Sequence, residues 1–343
     1  MGIRYEFDTR PGDGKTQSIT DGIEWLRMPL PFSLNHINLW LLRDGGGWAI
    51  VDTGVGTSTT IDLWKSIFVD EMGGDPASRV IATHMHPDHV GCAGFLARHF
   101  NVDLWMSRDE YMMCRLLVAD TGRSAPSEGV RFYKDAGFTD DQLHNYEEAF
   151  GFFGKLVKPL PEAYQRLSDG DELKIGEHRW HVVTGGGHSP EHASLLDRDR
   201  NVLISGDQLL PTISSNVSVW PTEPLANPLQ DWFDSLKKLR EAVPEDVLVL
   251  PSHGKPFRGA HDRIDALILE HEQNLDALLS FCSDAQRAVD VFPALFKAKI
   301  DDRNRIMATG EALSHLTYLV NTGDLSKERR DGATWYQAAS RRT

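Results

Sequence analysis

The chain has 343 residues, 41% of them hydrophobic and 25% charged, and a formal net charge of −14. That length allows two domains, or one large domain with an appendage. The negative charge excludes broad electrostatic capture of nucleic acid, though it leaves room for a local basic groove.

The N-terminus, Met1-Gly2-Ile3-Arg4-Tyr5-Glu6, is charged early and lacks the apolar core of a signal peptide. Glu6 stands where a myristoylation signal starting at Gly2 requires Ser or Thr. No apolar run reaches the length of a membrane span. Cys92, Cys114 and Cys282 are an odd count without paired spacing, so no disulfide framework is expected and the cytoplasm is the default compartment. Strands are predicted at Ile23–Leu30, Ile37–Arg43 and Trp48–Asp52, the last two joined by the hairpin signal Asp44-Gly45-Gly46-Gly47. A helix follows over Ile61–Phe68, then a strand at Arg79–Thr83, a helix over Val90–Phe100 and a strand at Val102–Met106. Residues 107–165 break the rhythm with a Met-rich helix at Tyr111–Val118, a Gly/Ser/Pro-rich loop at Thr121–Gly129 and an aromatic-rich helix at Asp140–Phe153. Such an insertion can lid a site or simply belong to the core. Strand character resumes at His178–Thr184, Ala193–Asp197, Asn201–Ser205 and Val247–Leu250. From Asp262, the spacing of Ile264, Leu267, Ile268, His271, Leu275, Leu278 and Leu279 predicts a long amphipathic helix. Shorter helical pieces follow near Pro293 and over Ile306–Val320, and Gly323–Gln337 suits a hairpin turning at Asp331-Gly332. Three helices and a hairpin make a winged-helix-like unit, so the expected domains are 1–260, carrying the 107–165 insertion, and 261–343.

The segment with the clearest chemistry is His84-Met85-His86-Pro87-Asp88-His89. His84 and His86 are two apart, so on an extended segment they project to one side and can grip one ion. Pro87 bends the chain, so Asp88 and His89 point elsewhere and can hold a second ion. Imidazole and carboxylate suit zinc, iron or manganese. Six residues cannot saturate two ions, and three more candidates stand at strand ends. His188 follows Thr184-Gly185-Gly186-Gly187, where glycines let backbone approach closely. Asp207 ends Ser205-Gly206-Asp207, and His253 lies in Pro251-Ser252-His253-Gly254. His36 can line the cleft, although a structural role is the simpler reading, and His192 is placed to give a supporting hydrogen bond. Cys92 reads as a small buried residue. His99, His144, His178, His181, His261, His271 and His315 show no convergent pattern and read as surface or packing residues.

This order of ligands resembles the metallo-β-lactamase superfamily over about residues 23–260, with Asp52-Thr53-Gly54 where that superfamily has its Asp-Thr-Gly turn. The resemblance implies an α+β fold, an αββα sandwich with ligands on loops at one edge of its two sheets, ahead of the winged-helix-like tail. It further implies that His84, His86 and His188 bind metal one, that Asp88, His89 and His253 bind metal two, and that Asp207 bridges them.

Two ions roughly 3.5–4 Å apart can share a water and bring its pKa near neutral. The expected reaction is therefore hydrolysis by a bridging hydroxide, with Asp88 as the catalytic group that orients the nucleophile and moves its proton. By resemblance, a bridging Asp207 is the pattern of glyoxalase II-like thioesterases, lactonases and phosphodiesterases, not of dedicated zinc β-lactamases. Pro87 stands where the tRNA-processing branch typically has Gly. Ser215 and Asn216, just past Asp207, are candidate substrate contacts or loop-shaping residues. The favoured expectation is a two-metal, zinc-dependent hydrolase of a small organic ester, thioester or lactone, its apolar insertion beside the metals. The alternative is a nuclease or phosphodiesterase acting on RNA through the tail. Residues Asp262–Thr343 carry eleven basic and thirteen acidic side chains, with Lys327, Arg329 and Arg330 the local basic cluster, which weighs against it. A tail that serves for packing or homodimerisation is compatible with either chemistry.

Overall fold

The run Ile37-Asn38-Leu39-Trp40-Leu41-Leu42 presents apolar side chains to both faces of a strand, so it needs cover on both sides. In the computed structural model, which describes residues 2–339, it has that cover. After β1 (Arg4–Tyr5), a first sheet forms from β2 (Thr16–Thr20), β3 (Ile23–Pro29), β4 (His36–Asp44), β5 (Gly47–Val51), β6 (Ala77–Ile81), β7 (Leu104–Ser107) and β8 (Gln165–Leu167), hydrogen-bonded in that order. The links from β2 to β5 are antiparallel and those from β5 to β8 parallel. Parallel neighbours need crossovers. These are α1 (Ser58–Asp70), then α2 (Pro87–Val90) with α3 (Ala93–Phe100), then α4 (Arg108–Ala119), α5 (Ser127–Ala136) and α6 (Asp140–Ala149).

The second sheet takes β9 (Glu172–Ile175), β10 (His178–Gly185), β11 (His192–Asp197), β12 (Val202–Gly206), β13 (Leu248–Pro251) and β14 (Phe257–Arg258), and closes on β1. Helix α7 (Pro228–Ala242) crosses between the parallel strands β12 and β13. Trp40 and Leu42 of β4 meet Trp180, Leu195, Ile204 and Leu250 in the core between the sheets. Ile37, Leu39 and Leu41 pack outward with Trp64, Ile67 and Leu96 from α1 and α3. On the other side, Leu203 and Val249 pack with Trp232 and Leu236 of α7. This is the expected αββα arrangement of two sheets flanked by helices.

Several elements differ from expectation. The helix predicted over Val90–Phe100 is two helices, because the Cys92 N–H donates to Gly54 O instead of continuing the helical ladder. Helix α2 begins at Pro87, inside the histidine motif, where proline suits a first turn. The loop expected over Thr121–Gly129 ends early, at Ser127, where α5 begins.

The tail comprises α8 (Ala260–Phe281), α9 (Phe292–Leu295) and α10 (Arg305–Thr322), then the hairpin β15 (Leu325–Arg330) and β16 (Ala333–Ala338). Asp331 and Gly332 turn that hairpin at positive φ. Its core is continuous with the rest of the molecule. Ile264, Leu267, Leu278, Leu313, Leu316 and Tyr336 join Trp232, Leu236 and Leu203 in one buried cluster. The insertion leans on the same unit, through Val289 N–H to Ala136 O and an Arg329–Asp135 ion pair of 2.7 Å. His271 and His315, read from the sequence as unrelated, face each other across α8 and α10 at 3.1 Å. Burial pushes them down to about 3 and about 4 respectively. Among the described residues, no helix is long and apolar enough to cross a membrane.

Leu316 is fully buried in the shared cluster, so Leu316→Ala is expected to cost about 2–5 kcal/mol and to lower a single thermal transition as a whole. A second transition, belonging to the tail alone, would show that the two parts unfold separately. The histidine pair adds a pH dependence. The unfolded chain protonates both rings below about pH 6.5, whereas the folded rings resist until about 3 and about 4. The pair therefore stabilises the fold above that pH, and the contribution is lost as pH falls towards 4. Urea denaturation across that window should show the loss, with a shallower dependence in His315→Gln.

Candidate metal centre

Four strands deliver the site. The histidine motif follows β6, His188 follows β10, Asp207 follows β12 directly, and His253 comes just after β13. Polar side chains at strand ends can leave the apolar sandwich without disturbing either sheet. The structure brings all seven predicted ligands together. His86 Nδ1 lies 2.8 Å from His84 Nε2 and 3.0 Å from His188 Nε2. On the other side, Asp88 Oδ2 is 3.4 Å from His253 Nε2 and 3.7 Å from His89 Nε2. Asp207 stands between, with Oδ2 3.5 Å from His188 Nε2, and Oδ1 3.5 Å from both His89 Nε2 and His253 Nε2. Three overlapping groups could each hold an ion, with their ligand atoms all within 4.8 Å of one another: His84/His86/His188, His84/His89/Asp207 and Asp88/His89/His253.

The ring orientations are set from outside. His188 Nδ1 donates to Asn216 O at 2.8 Å, and His253 Nδ1 to His36 O at 2.8 Å. His89 Nδ1 donates to Asp52 Oδ2 at 2.8 Å, and His84 Nδ1 lies 3.1 Å from Thr83 Oγ1. With Nδ1 engaged outward, Nε2 of each of these rings turns inward, where it would offer its lone pair to a bound ion, the usual device for orienting a metal-binding imidazole. His192 Nε2 accepts the Asp207 N–H at 3.1 Å, the supporting role its position suggested. His36 acts through its backbone carbonyl, its ring lying 6.3 Å from that of His253.

The loops are held as firmly as the rings. Gly187 adopts φ +100°, and a Cβ there would lie 2.6 Å from the Trp232 Cβ, so only glycine lets the His188 loop rest against α7. At Gly206 a Cβ would sit 2.3 Å from His192 Nε2. Glu110 of α4 was not singled out in the sequence, yet its carboxylate joins both halves of the site. Oε2 accepts the Met85 N–H and Oε1 the Glu191 N–H, each at 2.8 Å. Nothing in its helical context marks it; only the fold places it there. Asn38, on β4, likewise braces the His253 loop by donating to Pro251 O and Gly254 O.

Ser215 and Asn216 are tied inward. Ser215 Oγ donates to Asp207 O at 2.5 Å, and Asn216 Nδ2 to Glu311 Oε2 at 2.7 Å. Cys92 is buried and its thiol pushed up to about 12, so it is inert at neutral pH.

The two sides of the site differ in charge. Burial drives His84 well below the usual histidine range and His86 down to about 3, so both are neutral nitrogen donors. Burial also opposes charge on His89, but Asp52, Asp207 and Asp88 outweigh it and raise that ring well above its usual range. The carboxyls respond in the opposite sense. Burial would raise Asp207 and Asp88, but His253 and His89 hold Asp207 well below the carboxylate range and Asp88 at about 2. This is a pocket that draws positive charge. His89 Nε2 and Asp207 Oδ1 are buried and make no hydrogen bond among the described residues. Five imidazoles and two carboxylates so disposed fit a divalent cation.

Glu110→Ala strips the acceptor from two backbone N–H groups. At about 1–3 kcal/mol for each buried donor left unpaired, a loss of about 2–6 kcal/mol is expected in chemical denaturation. Wild-type stability in this variant would show that α4 does not brace the site.

Comparison with known proteins places this architecture. The sequence model for the metallo-beta-lactamase superfamily matches residues 33–253, and that for the metallo-beta-lactamase-like C-terminal domain matches residues 275–339. A crystal structure of a beta-lactamase domain protein from Burkholderia ambifaria superposes with a TM-score of 0.90 and 42% identity, covering 98% of each chain. A metallo-beta-lactamase family protein from Thermus thermophilus superposes with a TM-score of 0.79 and 26% identity, covering 94% of this chain and 100% of that one. The acyl-coenzyme A thioesterase MBLAC2 of Homo sapiens is 26% identical over 292 residues, 80% of this chain and 95% of its own. This chain belongs to the metallo-beta-lactamase superfamily.

Proposed function

We propose that the protein is a two-metal hydrolase of acyl thioesters. His84, His86 and His188 would hold one ion, Asp88, His89 and His253 a second, and Asp207 would bridge them. The observation that carries this reading is the placement of Asp207, whose two oxygens address His188 on one side and His89 and His253 on the other. Zinc is the default ion for such a donor set, with iron and manganese as alternatives.

Bound ions of this kind acidify a water and polarise the carbonyl of the substrate. The chain's own groups do the remainder. The outward acceptors Asn216 O, His36 O and Asp52 Oδ2 keep their imidazoles in the tautomer that presents Nε2. Asp88, held at about 2, is ionised at neutral pH and would orient the attacking water and take its proton. A thiol leaving group has a pKa of about 8.5, so it departs as a thiolate without needing a proton from the protein. An amide nitrogen would need one. The thioesterase name of the human relative, aligned over 95% of its own length, supports the same substrate class. The free, buried Cys92, Cys114 and Cys282 are consistent with a reducing, cytoplasmic setting.

The test is hydrolysis by zinc-reconstituted protein of a panel holding an acyl-coenzyme A, a lactone, an aryl ester, a phosphodiester and a short RNA. Thioester cleavage is expected, abolished by chelator and restored by metal. Asp207→Ala is expected to lower kcat/KM about 100-fold or more, since removing even an outer partner of a ligand costs 10–100-fold. Cleavage of the RNA or the phosphodiester alone would replace this reading with the nuclease.

A further inference from the structure

The segment from Asp207 to Val219 runs from the metal centre to the tail, and the tail grips it repeatedly. Arg263 of α8 donates from Nε to Leu210 O at 2.7 Å and from Nη2 to Ile213 O at 2.9 Å. His271 of α8 lies 3.2 Å from Ser214 Oγ. From α10, Gly310 O accepts the Val219 N–H at 3.0 Å. A Cβ on Gly310 would lie 2.6 Å from Ser218 Oγ. Glycine inside a helix costs about 1 kcal/mol relative to alanine, and here it admits the segment against the helix.

One of these contacts leads into the site. Glu311, the next residue of α10, accepts from Asn216 Nδ2 at 2.7 Å, while Ser218 Oγ donates to Asn216 Oδ1 at 2.6 Å. The Asn216 amide is thus held at both ends. The carbonyl of the same residue accepts the His188 Nδ1–H. Two hydrogen bonds through Asn216 therefore connect a tail helix to the His188 imidazole.

We propose that Glu311 is a positioning residue of the metal centre: by holding the Asn216 amide it fixes the Asn216 carbonyl on His188, and so keeps His188 Nε2 turned towards His86 and Asp207. This rests on the metal-binding reading above. It makes the tail part of the apparatus that builds the site, beyond packing or dimerisation. A tail that only packed would leave metal affinity independent of an acceptor oxygen at position 311. Burial pushes the Glu311 carboxyl up to about 7, so a neutral amide is close to its own neutral form and keeps an acceptor for Asn216.

The experiment is zinc affinity of the full chain by competition with a chromophoric chelator, alongside the visible absorption of the cobalt-substituted protein. Glu311→Gln is expected to bind within about twofold of wild type. Glu311→Ala is expected to hold one ion about tenfold more weakly, the lower end of the loss for an outer partner of a ligand, with an altered cobalt spectrum and unchanged far-UV circular dichroism. A folded Glu311→Ala that binds both ions as wild type does would overturn the proposal. Should that variant not fold, Asn216→Ala decides, because it removes the amide that Glu311 holds but keeps the carbonyl. A tenfold loss there sustains the proposal, and wild-type affinity overturns it. Wild-type protein that binds no divalent cation would instead overturn the metal reading itself, and this inference with it.

Discussion

The centre depends on one carboxylate, Asp52, that is fully buried and sits at φ 60°, a left-handed conformation uncommon outside glycine. Burying a carboxylate costs several kcal/mol unless donors surround it, and such a backbone adds about 1–3 kcal/mol. Both costs are offset locally. Asp52 accepts the Thr83 N–H, the Thr83 hydroxyl and the His89 Nδ1–H. The next residue continues the link, since Thr53 donates from its backbone N–H and its hydroxyl to His89 O, while the Trp64 indole donates to Thr53 O. The turn after β5 and the histidine motif after β6 are therefore one hydrogen-bonded unit, and the ring of His89 cannot turn without breaking it.

From that unit outward, charge is arranged in opposition to burial. Asp88 and Asp207 share a buried edge, where the charge of Asp207 raises the proton affinity of Asp88. Imidazoles close to them supply the compensation. His84 and His86 are left neutral by burial, with the neighbouring imidazoles adding to it. The site thus offers three imidazoles at one end and two imidazoles with a carboxylate at the other, with Asp207 between. Softer and harder divalent ions differ in their preference for such donors, so the two donor sets would differ in the ion each suits best.

All seven candidate ligands that the structure gathers were legible in the sequence because each stands within a few residues of a strand end and their order is itself a pattern. The strands were legible where they are apolar on two faces, as in β4, or run straight into a motif, as in β6. What escaped was short or amphipathic in a quieter way. β8, β9 and β14 are two to four residues long, and their pairing partners, distant in sequence, decide that they are strands at all. Helix α7 does carry Leu229, Trp232, Phe233, Leu236 and Leu239 at helical spacing, all buried, so that signal was present and unread. Glu110 and Glu311 are a different case. Each is one acidic residue on a helix, and no local pattern separates a carboxylate that braces a loop from one that faces water.

The bracing residues share a logic that explains why they are scattered. A ligand on a loop at a sheet edge has few neighbours in its own strand, so it must be steadied by whichever layer lies behind it. His89 is steadied by Asp52 from the first sheet, and His253 by the His36 carbonyl at the start of β4. The two loops bearing His86 and His188 are joined through Glu110, from the crossover helix α4. His188 is further held by Asn216, whose amide reaches the tail at Glu311. The first sheet, the crossover helix α4 and the tail thus each contribute to the outer network, directly on a candidate ligand or through the loop that carries one. Because interiors are close-packed and transmit strain, a shift of any one layer must register in the spacing of nitrogen and oxygen atoms at the centre. The shared core that joins the tail to α7 and the second sheet therefore bears on the spacing of the candidate ligands as well as on the stability of the fold.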